Sequence, residues 1–204
     1  MITLINYGSG NIHAIANIYK RNNIPYTITN DKKELSNAKK LILPGVGDFD
    51  ETMELIKEIG IKNLLDDLVM DKKIPILGVC VGMQVLGKSS EEGKTEGFGW
   101  INGVVKKMDV TKLENKPHLP HMGWNIVNPI QQSTLFSNTD LSKGFYFLHS
   151  YYFDCTNPDD ILAETNYGQT FASAIRCENV YGFQFHPEKS HQNGIELFKN
   201  FANL

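Results

Sequence analysis

A cysteine framed by glycines at the end of a short apolar run is the feature of this chain best suited to covalent chemistry. Ile74-Pro75-Ile76-Leu77 leads into Gly78-Val79-Cys80-Val81-Gly82. This pattern predicts a buried strand that turns sharply at Cys80 into a helix from Val81 to Lys88. The glycines tolerate backbone angles and close approaches that a side chain would block. The sulfur would then sit at a helix N-terminus, where unpaired amides favour the thiolate that attacks a carbonyl. The amide of Val81 becomes an oxyanion donor.

Far downstream stands Phe185-His186-Pro187-Glu188-Lys189-Ser190. Tyr181 to His186 alternates like a strand, and residues two apart on a strand share a face. On that reading His186 and Glu188 aim together, with Pro187 keeping the chain extended as the strand ends. His186 would move protons and Glu188 would orient it. Taken singly, either motif reads equally well as a buried structural cysteine or a surface histidine. The pair makes that reading hard to sustain. The order Cys80, His186, Glu188 also excludes an ordinary α/β-hydrolase, whose acid precedes its histidine.

The elements that must hold these groups alternate in the first half. Strands are expected at Ile2–Asn6, Tyr26–Thr29, Lys40–Leu43 and Ile74–Val79, with helices at Ile12–Asn22 and over Asp50–Met70. This is an α/β fold, a mainly parallel central sheet with helices on both faces and a site at the strands' carboxyl ends. From Gly97 to Gln184 the pattern is mostly strand, with turns at Glu178-Asn179 and Asn166-Tyr167-Gly168, so antiparallel extensions are expected. A last helix, Asn193–Phe201, would turn Ile195, Leu197, Phe198 and Phe201 to the core.

The 204 residues suit one domain spanning 1–204, with a net charge of −3 and 21% charged residues. No basic tract points to nucleic acid, and no apolar run is long enough for a membrane span. The start of the chain does not read as a signal peptide, and three widely spaced cysteines form no disulfide framework. A cytoplasmic location is the expectation. Cys155 and Cys177 read as structural. Gly8-Ser9-Gly10-Asn11-Ile12-His13 places a histidine where a dinucleotide fingerprint needs its third glycine. His118-Leu119-Pro120-His121 makes a poor metal pair, because its proline disfavours a helical spacing. No cofactor and no metal are expected.

With these residues in view, the chain resembles the class I (triad) glutamine amidotransferases, and among them the HisH-type glutaminase subunits of imidazole glycerol phosphate synthase. The likeness runs nearly end to end. It includes Tyr7-Gly8-Ser9-Gly10-Asn11, Pro44-Gly45-Val46-Gly47, Glu91-Glu92-Gly93, Pro120-His121-Met122-Gly123-Trp124-Asn125 and Leu148-His149-Ser150-Tyr151-Tyr152. The resemblance implies that Cys80 attacks the side-chain amide of glutamine and that His186 protonates the departing ammonia. It further implies substrate contacts from Gly45, Gln84, Glu92, Ser150 and Tyr151, and a second oxyanion amide from the Val46-Gly47 loop, which a partner could switch by a peptide flip.

The implied partner is the cyclase subunit of that synthase, or a related ammonia-accepting protein. A chain of this length has no room for a second catalytic domain. Asn11, Trp124 and Lys189 fall at the implied partner interface, and Tyr146, flanked by Phe145 and Phe147, is open to either a core or an interface reading. Asn6 and Asp48 depart from the family's usual residues, which keeps a glutaminase for surface-sugar amidation in view as an alternative. A stand-alone γ-glutamyl thiol hydrolase is the other.

Overall fold

The computed structural model describes residues 1–113 and 119–204. The first half alternates β1 (Ile2–Ile5), α1 (Ile12–Arg21), β2 (Tyr26–Thr29), α2 (Lys32–Leu35), β3 (Leu41–Gly45), α3 (Phe49–Glu58), α4 (Lys62–Asp66), β4 (Ile76–Cys80) and α5 (Val81–Gln84). The second half is built mainly of strands: β5 (Gly103–Lys107), β6 (His121–Asn125), β7 (Asn128–Pro129), β8 (Phe145–His149), β9 (Tyr151–Cys155), β10 (Ile161–Tyr167), β11 (Gln169–Cys177) and β12 (Val180–Phe183), before α6 (His191–Asn203).

Strands β2, β1, β3, β4 and β12 pair in that order and are all parallel. Every residue of β1, β3, β4 and β12 is buried, so both faces of this part of the sheet are covered. Beyond β12 the sheet continues antiparallel through β11 and β10 to β7, while β9 joins β11 to β5. Helices α1 and α6 pack together, with Tyr19 edge-on to Phe198 at 5.7 Å. A separate two-stranded sheet, β6 with β8, pairs His121 with His149 and Trp124 with Tyr146.

The expected α/β order and the switch to antiparallel strands are both present, with three local differences. Helix α5 stops at Gln84 instead of Lys88. The amides of Leu86 and Gly87 turn to carbonyls three residues back, those of Met83 and Gln84, and the Lys88 amide goes to the Gly103 carbonyl, so the i−4 ladder is not continued. Phe98, Ile101 and Gly99 take the carbonyls of Val85, Leu86 and Gly87. His186 and Glu188 lie past the end of β12, with Glu188 inside the 3₁₀ turn Pro187–Lys189. Ser190 closes that turn: its hydroxyl donates to the His186 carbonyl at 2.7 Å and accepts from the Tyr146 amide. Ile195 is only half-buried, and Glu196 takes a more buried place on α6.

Strand β3 runs on to Gly45 because Gly45 pairs with Cys80 in the parallel ladder. That register brings the end of β3 against the turn into α5. A Cβ on Gly82 would meet the backbone carbonyl of Leu43, and one on Gly45 would meet the backbone of Gly82 and Val81. Neither neighbour is a flexible side-chain end that could move aside. Gly82→Ala should therefore lower stability by at least about 1–3 kcal/mol, read as a reduced urea midpoint. An unchanged midpoint would mean that the approach of β3 to the elbow is looser than described.

Candidate active site

Cys80 sits on the elbow at φ 55°, ψ −113°, a conformation that costs free energy for any residue with a Cβ. The parallel ladder before it and the helical turn after it over-determine that geometry. The side chain is buried at the floor of a cavity of about 290 Å³ lined by Val46, Gly47, Val81, Gln84, Glu92 and Ser150 among others. The volume suits a small ligand. The amide of Val81 follows the sulfur at the first position of α5, where helix amides lack internal partners.

His186 and Cys80 line the same cavity, and the His186 Nδ1 lies 2.8 Å from Glu188 Oε1. A carboxylate only accepts, so Nδ1 carries a proton and Nε2 is left for the sulfur. The pair is almost wholly buried. Burial opposes the imidazolium, but the hydrogen bonds to Cys80 and Glu188, with the charges of both, outweigh it and push His186 up to about 10. Burial likewise raises Glu188, yet its bond to His186, the imidazolium charge and the bond from Asn11 bring it below the usual carboxylate range. Asn11 Nδ2 donates to the same Oε1 at 2.9 Å.

The expected site residues from distant segments therefore come together. Gln84 Nε2 donates to the Tyr151 carbonyl at 3.1 Å and to Gln184 Oε1 at 3.0 Å. Both amide hydrogens are occupied, leaving Gln84 Oε1 as an acceptor for anything entering the cavity. Glu92 accepts from the Phe49 amide at 3.0 Å. Partial burial, with Asp48 and Asp50 nearby, raises its pKa despite that hydrogen bond. A cationic group beside it would be stabilised in return.

The Gly45-Val46-Gly47 loop is held from the first βα turn. Tyr7 donates its hydroxyl proton to the Pro44 carbonyl at 2.6 Å, and Ser9 donates to the Val46 carbonyl at 2.8 Å. Gly47 has φ +97°, a backbone open to glycine at little cost. The Gly8–Asn11 turn thus supports both the Val46 loop and the candidate triad, and Asn11, expected at a partner surface, braces Glu188. Gln184 was missed by sequence reasoning. Its Nε2 lies 3.8 Å from Cys80 Sγ, and the available signal was a polar side chain inside the buried run Phe183-Gln184-Phe185.

Of the remaining expected residues, Trp124 is 47% exposed and Tyr146 half-buried, paired across β6 and β8. Lys189 sets its ammonium 5.4 Å from the Tyr146 ring centre while also lining the cavity. Phe145 and Phe147 occupy the core on the other side of β8, so Tyr146 does not share their environment. His118 lies outside the described residues, and His121 is engaged with His149. Burial pushes the Cys155 thiol up to about 12 and raises Cys177 as well, so both remain thiols at neutral pH. Among the described residues, no helix is long and apolar enough to cross a membrane.

The family of class-I glutamine amidotransferases matches residues 3–204. The imidazole glycerol phosphate synthase subunit HisH of Leptospira borgpetersenii is 49% identical over 204 residues, covering 100% of both chains. The subunit of the same name from Bdellovibrio bacteriovorus is 49% identical over 205 residues, again covering 100% of each. Among solved structures, a glutamine amidotransferase superposes with a TM-score of 0.73 at 18% identity, over 100% of this chain and 99% of that one. PurLQS from Thermotoga maritima gives 0.71 at 17% identity, over 99% and 97%. At these identities the structural matches speak for the fold, while the end-to-end family match and the close full-length relatives speak for descent: the chain belongs to the class-I glutamine amidotransferases.

Proposed function

We propose that residues 1–204 form one glutaminase domain, which hydrolyses L-glutamine to glutamate and ammonia and delivers the ammonia to the cyclase subunit of imidazole glycerol phosphate synthase in histidine biosynthesis. The buried Cys80–His186–Glu188 array at the floor of a small cavity carries the chemistry. The near-50% identity over full length to HisH subunits supports the assignment of the partner. The cytoplasm is the expected compartment for such a pair.

The thiolate of Cys80 attacks the side-chain amide carbon, and the oxyanion is met by the amide of Val81 and, on reorientation of the Val46-Gly47 peptide, by that of Gly47. His186, held as an imidazolium well above neutrality, gives its proton to the departing nitrogen, and ammonia leaves a γ-glutamyl thioester. Neutral His186 then takes a proton from water, hydroxide adds to the thioester carbon, and the sulfur departs as thiolate. Glu188 and Asn11 keep Nε2 aimed at this centre throughout. Glu92 faces the α-ammonium of glutamine, and Gln84 Oε1 accepts from the substrate while the Ser150–Tyr151 backbone lines its path. Free glutamine, with its charged α-end, fits these groups better than a glutamine residue inside a peptide would.

The face of β6 and β8 bearing Trp124 and Tyr146, with Lys189 set against the Tyr146 ring, serves as the docking surface for the cyclase. Lys189 belongs to both this face and the cavity, which gives the partner direct contact with the site. Asn6 and Asp48 do not alter the triad. Asn6 is exposed, and Asp48 caps α3 by accepting from the Glu51 amide at 2.7 Å. They leave surface-sugar amidation as the competing acceptor, distinguished by the partner that stimulates turnover.

Glutamate release by the purified chain should rise when the cyclase subunit and its nucleotide-like ligand are added, and Cys80→Ala should reduce it to background. Cys80-dependent release indifferent to the cyclase would move the assignment to another acceptor. Glu188→Gln should lower kcat/KM on the order of 10²-fold. It should also shift the alkaline loss of activity toward neutral pH, because the carboxylate helps hold the His186 proton; an unmoved limb would contradict the orienting role. Trp124→Ala should weaken the complex with the cyclase by about 2 kcal/mol, roughly thirtyfold in Kd by titration calorimetry.

A further inference from the structure

Two buried histidines beside the cavity have no part in the chemistry above. His121 on β6 and His149 on β8 are direct register partners, and their rings are fixed by aromatic neighbours. His121 stacks on Tyr167 at 4.1 Å and on Phe147 at 4.7 Å, and His149 lies 5.1 Å from Phe171.

Their hydrogen bonds admit one arrangement of protons. Asn125 Oδ1 accepts from the Ile126 amide at 2.8 Å, which orients the side-chain amide. Asn125 Nδ2 donates to the Asn166 carbonyl at 2.9 Å and faces His121 Nε2 at 3.2 Å, so that ring nitrogen accepts. His121 Nδ1 therefore carries the proton and donates to His149 Nε2 at 3.0 Å. His149 Nδ1 donates in turn to the Tyr151 carbonyl at 2.8 Å. Both rings are neutral in this chain, and a further proton on either would set two donors face to face. Burial agrees. It pushes His121 down to about 4, and burial, with the His186 charge nearby, brings His149 to about 3.

The relay ends on a group that the cavity depends on. The Tyr151 carbonyl takes the His149 proton and one from Gln84, and Tyr151, Ser150 and Gln84 all line the cavity. We propose that His121 and His149 are positioning residues: the directed chain from Asn125 through His121 and His149 to the Tyr151 carbonyl holds the Ser150–Tyr151 wall and Gln84 in place for glutamine. This role rests on the glutaminase reading above. A pair that served the core alone would have no effect confined to substrate affinity.

Two measurements test it. In ¹⁵N spectra of histidine-labelled protein at neutral pH, both rings should be neutral and protonated at Nδ1; a charged ring, or one protonated at Nε2, would overturn the relay. In the complex with the cyclase, His121→Leu should raise KM for glutamine about tenfold, the scale of one lost buried hydrogen bond. Its kcat and the rate of Cys80 alkylation by iodoacetamide should stay within about twofold, since the nucleophile is untouched. His121→Asn, whose amide nitrogen can stand where Nδ1 stood, should return KM to within about threefold of wild type. An unchanged KM in His121→Leu, equal losses in the two variants, or a loss falling on kcat or alkylation would overturn the role. If His121→Leu does not fold, the spectrum and His121→Asn still decide. Failure of the wild-type complex to release glutamate would instead sink the glutaminase reading, and the positioning role with it.

Discussion

The site depends on how closely β3 approaches the turn from β4 into α5. Gly45 pairs with Cys80 in the parallel ladder, and the space between Leu43, Gly45, Val81 and Gly82 leaves no room for another Cβ. That contact performs two tasks at once. It holds Cys80 in a left-handed conformation that an isolated peptide would abandon. It also launches the Gly45-Val46-Gly47 loop from the strand beside the nucleophile, so the two expected oxyanion amides, those of Gly47 and Val81, come from adjoining pieces of backbone. Side chains then refine a geometry that the parallel sheet has already imposed.

The electrostatics impose an opposite cost. His186 and Glu188 are almost fully buried, and burying two charges is expensive unless each finds good hydrogen bonds. Glu188 Oε1 accepts from both His186 and Asn11, while Oε2 is buried with no partner among the described residues. Because the histidine is held protonated above its ordinary pKa, its contribution to folding is fully present below about pH 6.5. That contribution is lost as pH rises toward about 10. Glu188 behaves in the opposite sense, contributing above its ordinary carboxylate pKa and losing that contribution in acid. The pair is therefore best stabilised in mildly acidic solution, between the ordinary carboxylate pKa and about pH 6.5, and keeps most of that contribution at neutral pH, where a thiolate and an imidazolium are both useful to the proposed chemistry.

Much of this was legible in the sequence because it is written in local patterns. Glycines around Cys80 mark an elbow, apolar β-branched runs mark strands buried on both faces, and the change of pattern after Gly97 marks the antiparallel extension. What was not legible depends on distant partners. Helix α5 is four residues long because the Lys88 amide goes to the Gly103 carbonyl and those of Leu86 and Gly87 to carbonyls three residues back, a competition that no helical periodicity reveals. His186 and Glu188 meet through a turn that Ser190 and the Tyr146 backbone close, although spacing alone suggested a strand. Asn11 reaches Glu188 across 177 positions of chain. Gln184 drew no notice because a polar residue inside a strand acquires meaning only when its neighbours in space are known.

A site so firmly built from within must still admit control from outside, and its restraints are unevenly distributed. Cys80, His186 and Glu188 are buried, and His186 and Glu188 are joined by a hydrogen bond that Asn11 supports. The Val46 side chain is 39% exposed, and its carbonyl is held by the Ser9 hydroxyl, a neutral hydrogen bond with a modest net contribution of about 1 kcal/mol. Turning the Val46-Gly47 peptide would exchange that bond for one between the Gly47 amide and a substrate oxyanion, and Gly47 at φ +97° can adopt the new angles at little cost. The free-energy gap to be overcome is therefore small compared with what a cyclase docked on the Trp124 and Tyr146 face could supply. On the proposed reading, control belongs to this loop because one neutral hydrogen bond to the Val46 carbonyl and a glycine at φ +97° make its peptide easy to turn, while Cys80, His186 and Glu188 are buried behind it.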